Sequence, residues 1–205
     1  MMLIKRGAEA DIYLLDWYGR KAIGKLRKPK DYRNKILDME IRKKRTLHEA
    51  EMISSAKRAG VPSPLLYFVD HENAAIIMQF IRGKLARDLV LDDLHVCKKM
   101  GIYAAMLHAN NIVHGDLTTS NFIVNDSRLV LIDFGLSYHS DRIEDKAVDI
   151  RLIKEIMSSA HSSIFGKAFD RFIMGYRSVA GESLTSQMLR KVAEIERRGR
   201  YARVV

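Results

Sequence analysis

Over the first eighty positions, apolar residues come in short alternating or continuous blocks broken by turn formers. Residues 2–5, 11–17 and 21–26 read as three strands, with Gly7 and the pair Tyr18-Gly19 as the turns between them. From Arg27 to Arg45 charge dominates and apolar positions are sparse, which predicts a mobile connection. Leu47, Ala50, Ile53 and Ala56 then recur at helical spacing up to Gly60, and Val61-Pro62-Ser63-Pro64 stops the helix. Residues 65–69 and 74–78 are apolar runs of strand length.

After Gly83 the period changes. Val96, Cys97, Met100, Tyr103, Ala104 and Leu107 make one apolar helix face, ended by Asn110-Asn111. Two short strands, 122–124 and 129–132, flank the turn Asn125-Asp126-Ser127, and residues 147–160, 164–176 and 185–197 read as three more helices. The pattern predicts an α+β chain of two lobes joined near residues 79–83. Residues 1–81 form a β-rich nucleotide-binding lobe with one main helix. Residues 82–205 form a helical lobe with the catalytic loop and a basic tail.

Composition narrows this picture. With 47% hydrophobic residues among 205, the chain has enough apolar material for a sizeable core. No apolar run of membrane-spanning length occurs, and the first ten residues lack the apolar stretch of a signal peptide. The single cysteine, Cys97, suits a reducing interior, so the expected location is cytoplasmic, with no membrane partner. A net charge of +10 favours anionic partners, and the basic residues gather at 25–35, 42–45 and 197–203.

The chemistry concentrates in His114-Gly115-Asp116-Leu117-Thr118-Thr119-Ser120-Asn121, followed by Asp133-Phe134-Gly135. An aspartate, a gap of four and an asparagine is the spacing of a kinase catalytic loop. In that arrangement Asp116 orients a hydroxyl proton, while Asn121 and Asp133 offer the hard oxygen donors that magnesium prefers. Asp133 directly follows an apolar strand, so its carboxylate projects from the strand's end. Either half alone is an ordinary turn composition; together they point to phosphoryl transfer with ATP and Mg2+.

Several stretches carry a family resemblance: Gly7-Ala8-Glu9-Ala10-Asp11-Ile12-Tyr13, Arg42-Lys43-Lys44-Arg45-Thr46, the DLTTSN of Asp116 to Asn121, the DFGL of Asp133 to Leu136, Glu144-Asp145-Lys146-Ala147-Val148-Asp149, and the basic Arg197-Arg198-Gly199-Arg200. On these residues the chain resembles the PRPK-type atypical serine/threonine kinases, the kinase subunit of the KEOPS (EKC) complex. The similarity runs over essentially the whole length. It implies a minimal two-lobed protein-kinase-like fold. It also implies a kinase or ATPase serving a complex that makes threonylcarbamoyladenosine in tRNA. The partners implied are a threonylcarbamoyl-transferase subunit, a small accessory subunit and tRNA.

The resemblance also assigns roles. Lys25 matches the lysine on the ATP phosphates, with Lys21 and Lys28 as alternative registers. Glu49 matches the glutamate that pairs with it. A rival is the capping box Thr46-Leu47-His48-Glu49, which fails if helix extends upstream of Thr46. Gly7, Ala8, Glu9 and Ala10 form the turn over the phosphates, although only one of them is glycine. Met78 and Phe80, with Gln79 and Ile81, line the hinge for adenine.

Three departures stand out. Gly115 replaces the usual arginine. No Ala-Pro-Glu follows Gly135. Residues 136–149 are all that separate Gly135 from Ile150 in the next helix. Control by a bound partner therefore replaces loop phosphorylation, and Asp149 is expected to anchor the catalytic loop's backbone.

In the tail, Arg197, Arg198, Arg200, Tyr201 and Arg203 are candidate tRNA contacts, set against a solvated terminus. Three rival functions remain: a stand-alone RIO-like protein serine kinase, a small-molecule kinase, and a scaffold without catalysis.

Overall fold

The structure, a computed structural model, describes residues 1–126 and 128–201, the side chains of 199–201 excepted. A five-stranded antiparallel sheet in the order β1-β2-β3-β5-β4 forms the N-terminal lobe. Its strands are β1 (Met2–Arg6), β2 (Ala10–Trp17), β3 (Arg20–Arg27), β4 (Leu66–Asp70) and β5 (Ala75–Gln79). All five lie where the apolar blocks predict them. The β2–β3 hairpin turns through Tyr18 and Gly19, both at positive φ (51° and 78°), the conformation that matches strand twist.

One expectation fails here. The charged run is not a mobile connection beyond its first residues, because helix α1 (Lys35–Arg58) begins inside it. Asn34 caps the helix, its side chain accepting from the amides of Ile36 and Leu37 at 3.0 and 3.4 Å. The buried face in this stretch is polar. Asp38 is 2% exposed and accepts from Arg42 Nε at 2.7 Å, one turn on, with Arg33 at 3.6 Å. An apolar periodicity therefore never appears, although the helix is anchored.

The second lobe holds α2 (His95–Ala109), α3 (Ile143–Ala160) and α4 (Phe165–Tyr201), with short strands β6 (Lys84–Leu85), β7 (Ile112–Val113), β8 (Phe122–Asn125), β9 (Arg128–Leu131) and β10 (Tyr138–His139). The strands β6, β8 and β9 make a small sheet, and β7 pairs with β10. The expected helix 185–197 lies within α4, and so does 164–176 apart from Ile164, which closes the preceding 3-10 turn; α4 is interrupted by a non-helical Gly181 (φ 80°, ψ 169°). Helices α2 and α4 approach so closely that a Cβ on Gly101 or Gly175 would sit 1.9 Å from a carbonyl of the other helix. Phe122, Phe134, Phe172, Tyr176, Met100 and Ile150 fill the main core, each at most 1% exposed. That core holds both ends of the β7–β9 region, where the candidate residues Asp116 and Asn121 lie. Helix α3 begins four residues before the expected Ala147, so the segment after Gly135 is shortened to residues 136–142.

Candidate active site

Strand β3 delivers Lys25 to a buried position facing α1 and the strand end after β9. Its Nζ lies 2.6 Å from Glu49 Oε1 and 2.8 Å from Asp133 Oδ1. Lys21 is exposed and Lys28 pairs with Asp11 at 3.2 Å, so the register is the one that gives Lys25 the two carboxylates. Since α1 starts at Lys35, Thr46 sits in mid-helix and its hydroxyl donates to Arg42 O at 2.8 Å. The capping-box alternative for Glu49 is thereby excluded, because no helix start lies near Thr46.

Glu49 is 1% exposed and takes a second cation: Arg27 Nη2 lies 2.5 Å from Oε2. Sequence reading missed Arg27. A signal existed, because Lys25 and Arg27 are two apart on one strand and share a face. A carboxylate this deep is tolerable only when paired, and removing one partner from such a pair costs about 3–5 kcal/mol. Burial by itself would pull the Lys25 pKa down, but Glu49 and then Asp133 outweigh it and hold the ammonium above its ordinary value. For Asp133, burial would push the carboxyl up; the neighbouring Lys25 charge and its hydrogen bond win, and the pKa is lowered.

Asp133 adopts φ 63°, unusual for a residue with a side chain, and leaves β9 toward the cleft with its side chain about half exposed. Asp116 and Asn121 meet directly. Asn121 Nδ2 donates to Asp116 Oδ2 at 2.9 Å and to its carbonyl at 2.8 Å. A nitrogen committed in this way leaves the amide oxygen as the side chain's remaining acceptor. The amide of Ile132 donates to Asn121 O at 2.9 Å, tying the loop to the strand that presents Asp133.

The loop that carries Asp116 and Asn121 is held from below by α3. Asp149, 1% exposed, accepts from the amides of His114 (2.7 Å) and Gly115 (2.9 Å), and His108 Nε2 lies 3.3 Å from the same carboxylate. This is the backbone anchor expected of Asp149. Gly115 has φ 79°, and a Cβ there would lie 2.3 Å from Leu136 O. The residue that replaces the usual arginine is thus one that only glycine fits.

A cleft of about 280 Å³ lies between these parts, lined by Gly7, Ala8, Glu9, Ala10, Lys25, Arg27, Arg45, Asp116, Asp133 and others. The turn over it is closed by Gly7 N donating to Ala10 O at 3.0 Å, and a Cβ on Gly7 would overlap that oxygen at 2.5 Å. Met78 lies on β5, 9% exposed, and Phe80 follows the strand half-buried. Among the described residues no three His, Cys, Asp or Glu side chains gather as a metal cage. A nucleotide-bound magnesium needs none, since phosphates and water complete its shell, and the acid–amide pair Asp133 and Asn121 fits that donor chemistry. In the tail, Arg197 is exposed and Arg198 pairs with Glu144 at 2.7 Å. The side chains of Arg200 and Tyr201, and all of Arg203, lie outside the described residues. No helix among the described residues is long and apolar enough to cross a membrane.

Comparison with known proteins gives concordant results. Residues 20–159 match the model of the RIO domain. The KEOPS complex subunit Bud32 of Pyrococcus abyssi is 40% identical over 212 residues, covering 98% of this chain and 96% of that protein. A Methanobrevibacter smithii protein named "Probable bifunctional tRNA threonylcarbamoyladenosine biosynthesis protein" is 42% identical over 199 residues. The match takes in 97% of this chain, which spans only 36% of that longer relative. Among solved structures, the Rio2 kinase-ADP/Mg2+-phosphoaspartate complex from Chaetomium thermophilum has a TM-score of 0.65 at 14% identity, over 98% of this chain and 72% of the other.

Proposed function

This chain belongs to the RIO-domain family of protein-kinase-like proteins, and on that premise we propose that it is a Mg2+–ATP-dependent atypical kinase or ATPase. It works as a subunit of a KEOPS-like assembly that forms threonylcarbamoyladenosine in tRNA. The observation that carries the catalytic part is Lys25 bridging Glu49 and Asp133 at the edge of a cleft that Asp116 also lines. The biological assignment rests on two relatives. The P. abyssi protein is matched over nearly its whole length and named a KEOPS subunit. The M. smithii protein joins a segment like this one to further chain. A threonylcarbamoyl-transferase subunit, a small accessory subunit and tRNA are the proposed partners. The tRNA would meet the basic surface and the tail, through Arg197, Arg198, Arg200, Tyr201 and Arg203.

In this reading residues 1–81 bind the nucleotide and residues 82–205 act on its terminal phosphate. The hinge backbone around Met78 and Phe80 takes the adenine. The turn of Gly7, Ala8, Glu9 and Ala10 covers the phosphates. Lys25, fixed by Glu49, contacts the phosphate chain, and Asp116 orients the attacking hydroxyl or water. Asn121 and Asp133 would hold magnesium, which supplies charge neutralisation on the phosphates when bound. The segment 136–142 is too short for an extended peptide platform, so activity is gated by partners rather than by a phosphorylated loop.

The test is ATP hydrolysis by the purified chain, with and without tRNA and the transferase subunit, at two salt concentrations. Stimulation by both, weakening with salt, is expected. Efficient phosphorylation of an added protein without any partner would instead point to a stand-alone kinase. Asp116→Asn should keep ATP binding and lose phosphate release by about 10²-fold or more. Unchanged turnover would remove Asp116 from its role.

A further inference from the structure

Glu9 places a carboxylate in the turn over the phosphate site, lining the same cleft as Asp116 and Asp133. Left alone, it would repel a polyphosphate. Two cations from outside the turn meet it. Arg45 Nη1, on α1, lies 2.6 Å from Glu9 Oε2, and Lys30 Nζ lies 3.8 Å from Oε1. Lys30, in the connection between β3 and α1, also donates to Ala8 O at 2.5 Å, so the β1–β2 turn is tied to that connection as well.

The latch is soft where it matters. The side chains of Arg45 and Glu9 are 43% and 50% exposed, and an ion pair so open to water is weak and exchanges partners readily. Arg45 itself lines the cleft. Its backbone carbonyl accepts from Arg27 Nη2 at 3.5 Å, which ties this turn of α1 to the buried Lys25–Glu49–Arg27 cluster. The guanidinium therefore rides on a fixed helix while its partner rides on a turn. A planar guanidinium matches phosphate oxygens bidentately and gains more from them than from an exposed carboxylate.

We propose that Arg45 is a nucleotide-phosphate ligand of this cleft and that Glu9 is its resting counter-ion. Binding a polyphosphate exchanges carboxylate for phosphate on Arg45 and releases the β1–β2 turn from α1. The inference rests on the Mg2+–ATP reading above. It accounts for a charged residue in a turn where an uncharged one would serve a phosphate better. It also makes affinity depend on phosphate number, and so favours the triphosphate over the monophosphate.

Titration calorimetry of the full chain with ATP, ADP and AMP, magnesium present, tests this. Arg45→Gln should weaken ATP about tenfold, the scale of one charge-assisted contact, while leaving AMP within about twofold. Glu9→Gln should tighten ATP several-fold, since the competing carboxylate is gone, and that gain should vanish in the Glu9→Gln/Arg45→Gln double variant. A pair that merely staples the turn gives another pattern: both variants weaken all three nucleotides alike. That result, or a Glu9→Gln variant that fails to tighten ATP, overturns the proposal. If the unmodified chain binds no ATP at all, the nucleotide reading falls and takes this one with it. ATP binding indifferent to both residues sinks the latch alone.

Discussion

Replacing Asp149 by asparagine isolates what its charge does for the catalytic loop. The two carboxylate oxygens divide their work: Oδ1 accepts from Gly115 N at 2.9 Å, and Oδ2 from His114 N at 2.7 Å with His108 Nε2 at 3.3 Å. An amide of the same shape has one acceptor and one donor. In one orientation its NH2 faces the Gly115 amide; in the other it faces the His114 amide. Either way a donor meets a donor. One bond to a charged acceptor is lost, about 1.5–3 kcal/mol, and one backbone N–H is left unpaired, about 1–3 kcal/mol more. The sum is roughly 2.5–6 kcal/mol in a side chain 1% exposed. With a urea slope of about 2–3 kcal/mol/M, the midpoint of unfolding should fall by roughly 1–3 M. In the fraction that stays folded, turnover should drop with little change in KM, because Asp116 follows Gly115 directly while the nucleotide-binding parts are untouched. A loss below about 1 kcal/mol would refute the reasoning, since the carboxylate would then not be what holds the loop.

Two further outcomes follow from the same geometry. Gly115→Ala should cost roughly 2–4 kcal/mol, combining a left-handed backbone with a methyl 2.3 Å from Leu136 O; chemical denaturation checks it, and a loss under about 0.5 kcal/mol would mean that the loop yields freely. For pH, Lys25 is raised above 10.5 and Asp133 lowered below 3.8, so their pair stabilises the fold between these values. Its contribution fades as pH falls through the depressed Asp133 value or rises through the elevated Lys25 value. The Tm difference between the wild type and Lys25→Met should therefore be flat from about pH 5 to 9 and shrink beyond either end. A difference that changed markedly within that window, or grew beyond either end, would show that the paired charges are not what matters at that position.

Much of the fold could be read along the chain because its apolar residues carry the right periods. Strands β3 and β5, α2, and the pair β8–β9 each bury residues of their own, and that leaves a pattern; β1 is an apolar run as well, although all five of its residues are exposed. The start of α1 leaves none. Its inward positions are Asp38, Thr46 and Glu49, held by Arg42, Arg27 and Lys25 rather than by oil, so a hydropathy pattern reads the stretch as a connection. Asn34 as a cap with Asp38 in the first turn was the available signal. The early start of α3 has the same cause, since residues 143–146 are mostly charged and only Ile143 packs on the core.

The order of residues alone picked out the candidates for the chemistry: the spacing of Asp116, Asn121 and Asp133 is a local code, readable because each proposed role needs one residue type at one separation. Which lysine faces Glu49, that Glu49 carries a second cation, that Gly115 has no room for a side chain, and that Glu9 rests on Arg45 were decided only in three dimensions. Each depends on groups far apart in the chain, 24 positions for Lys25 and Glu49 and 36 for Glu9 and Arg45. The strength of an ionic contact depends on what else surrounds it, and that is set by packing rather than by any short run of residues.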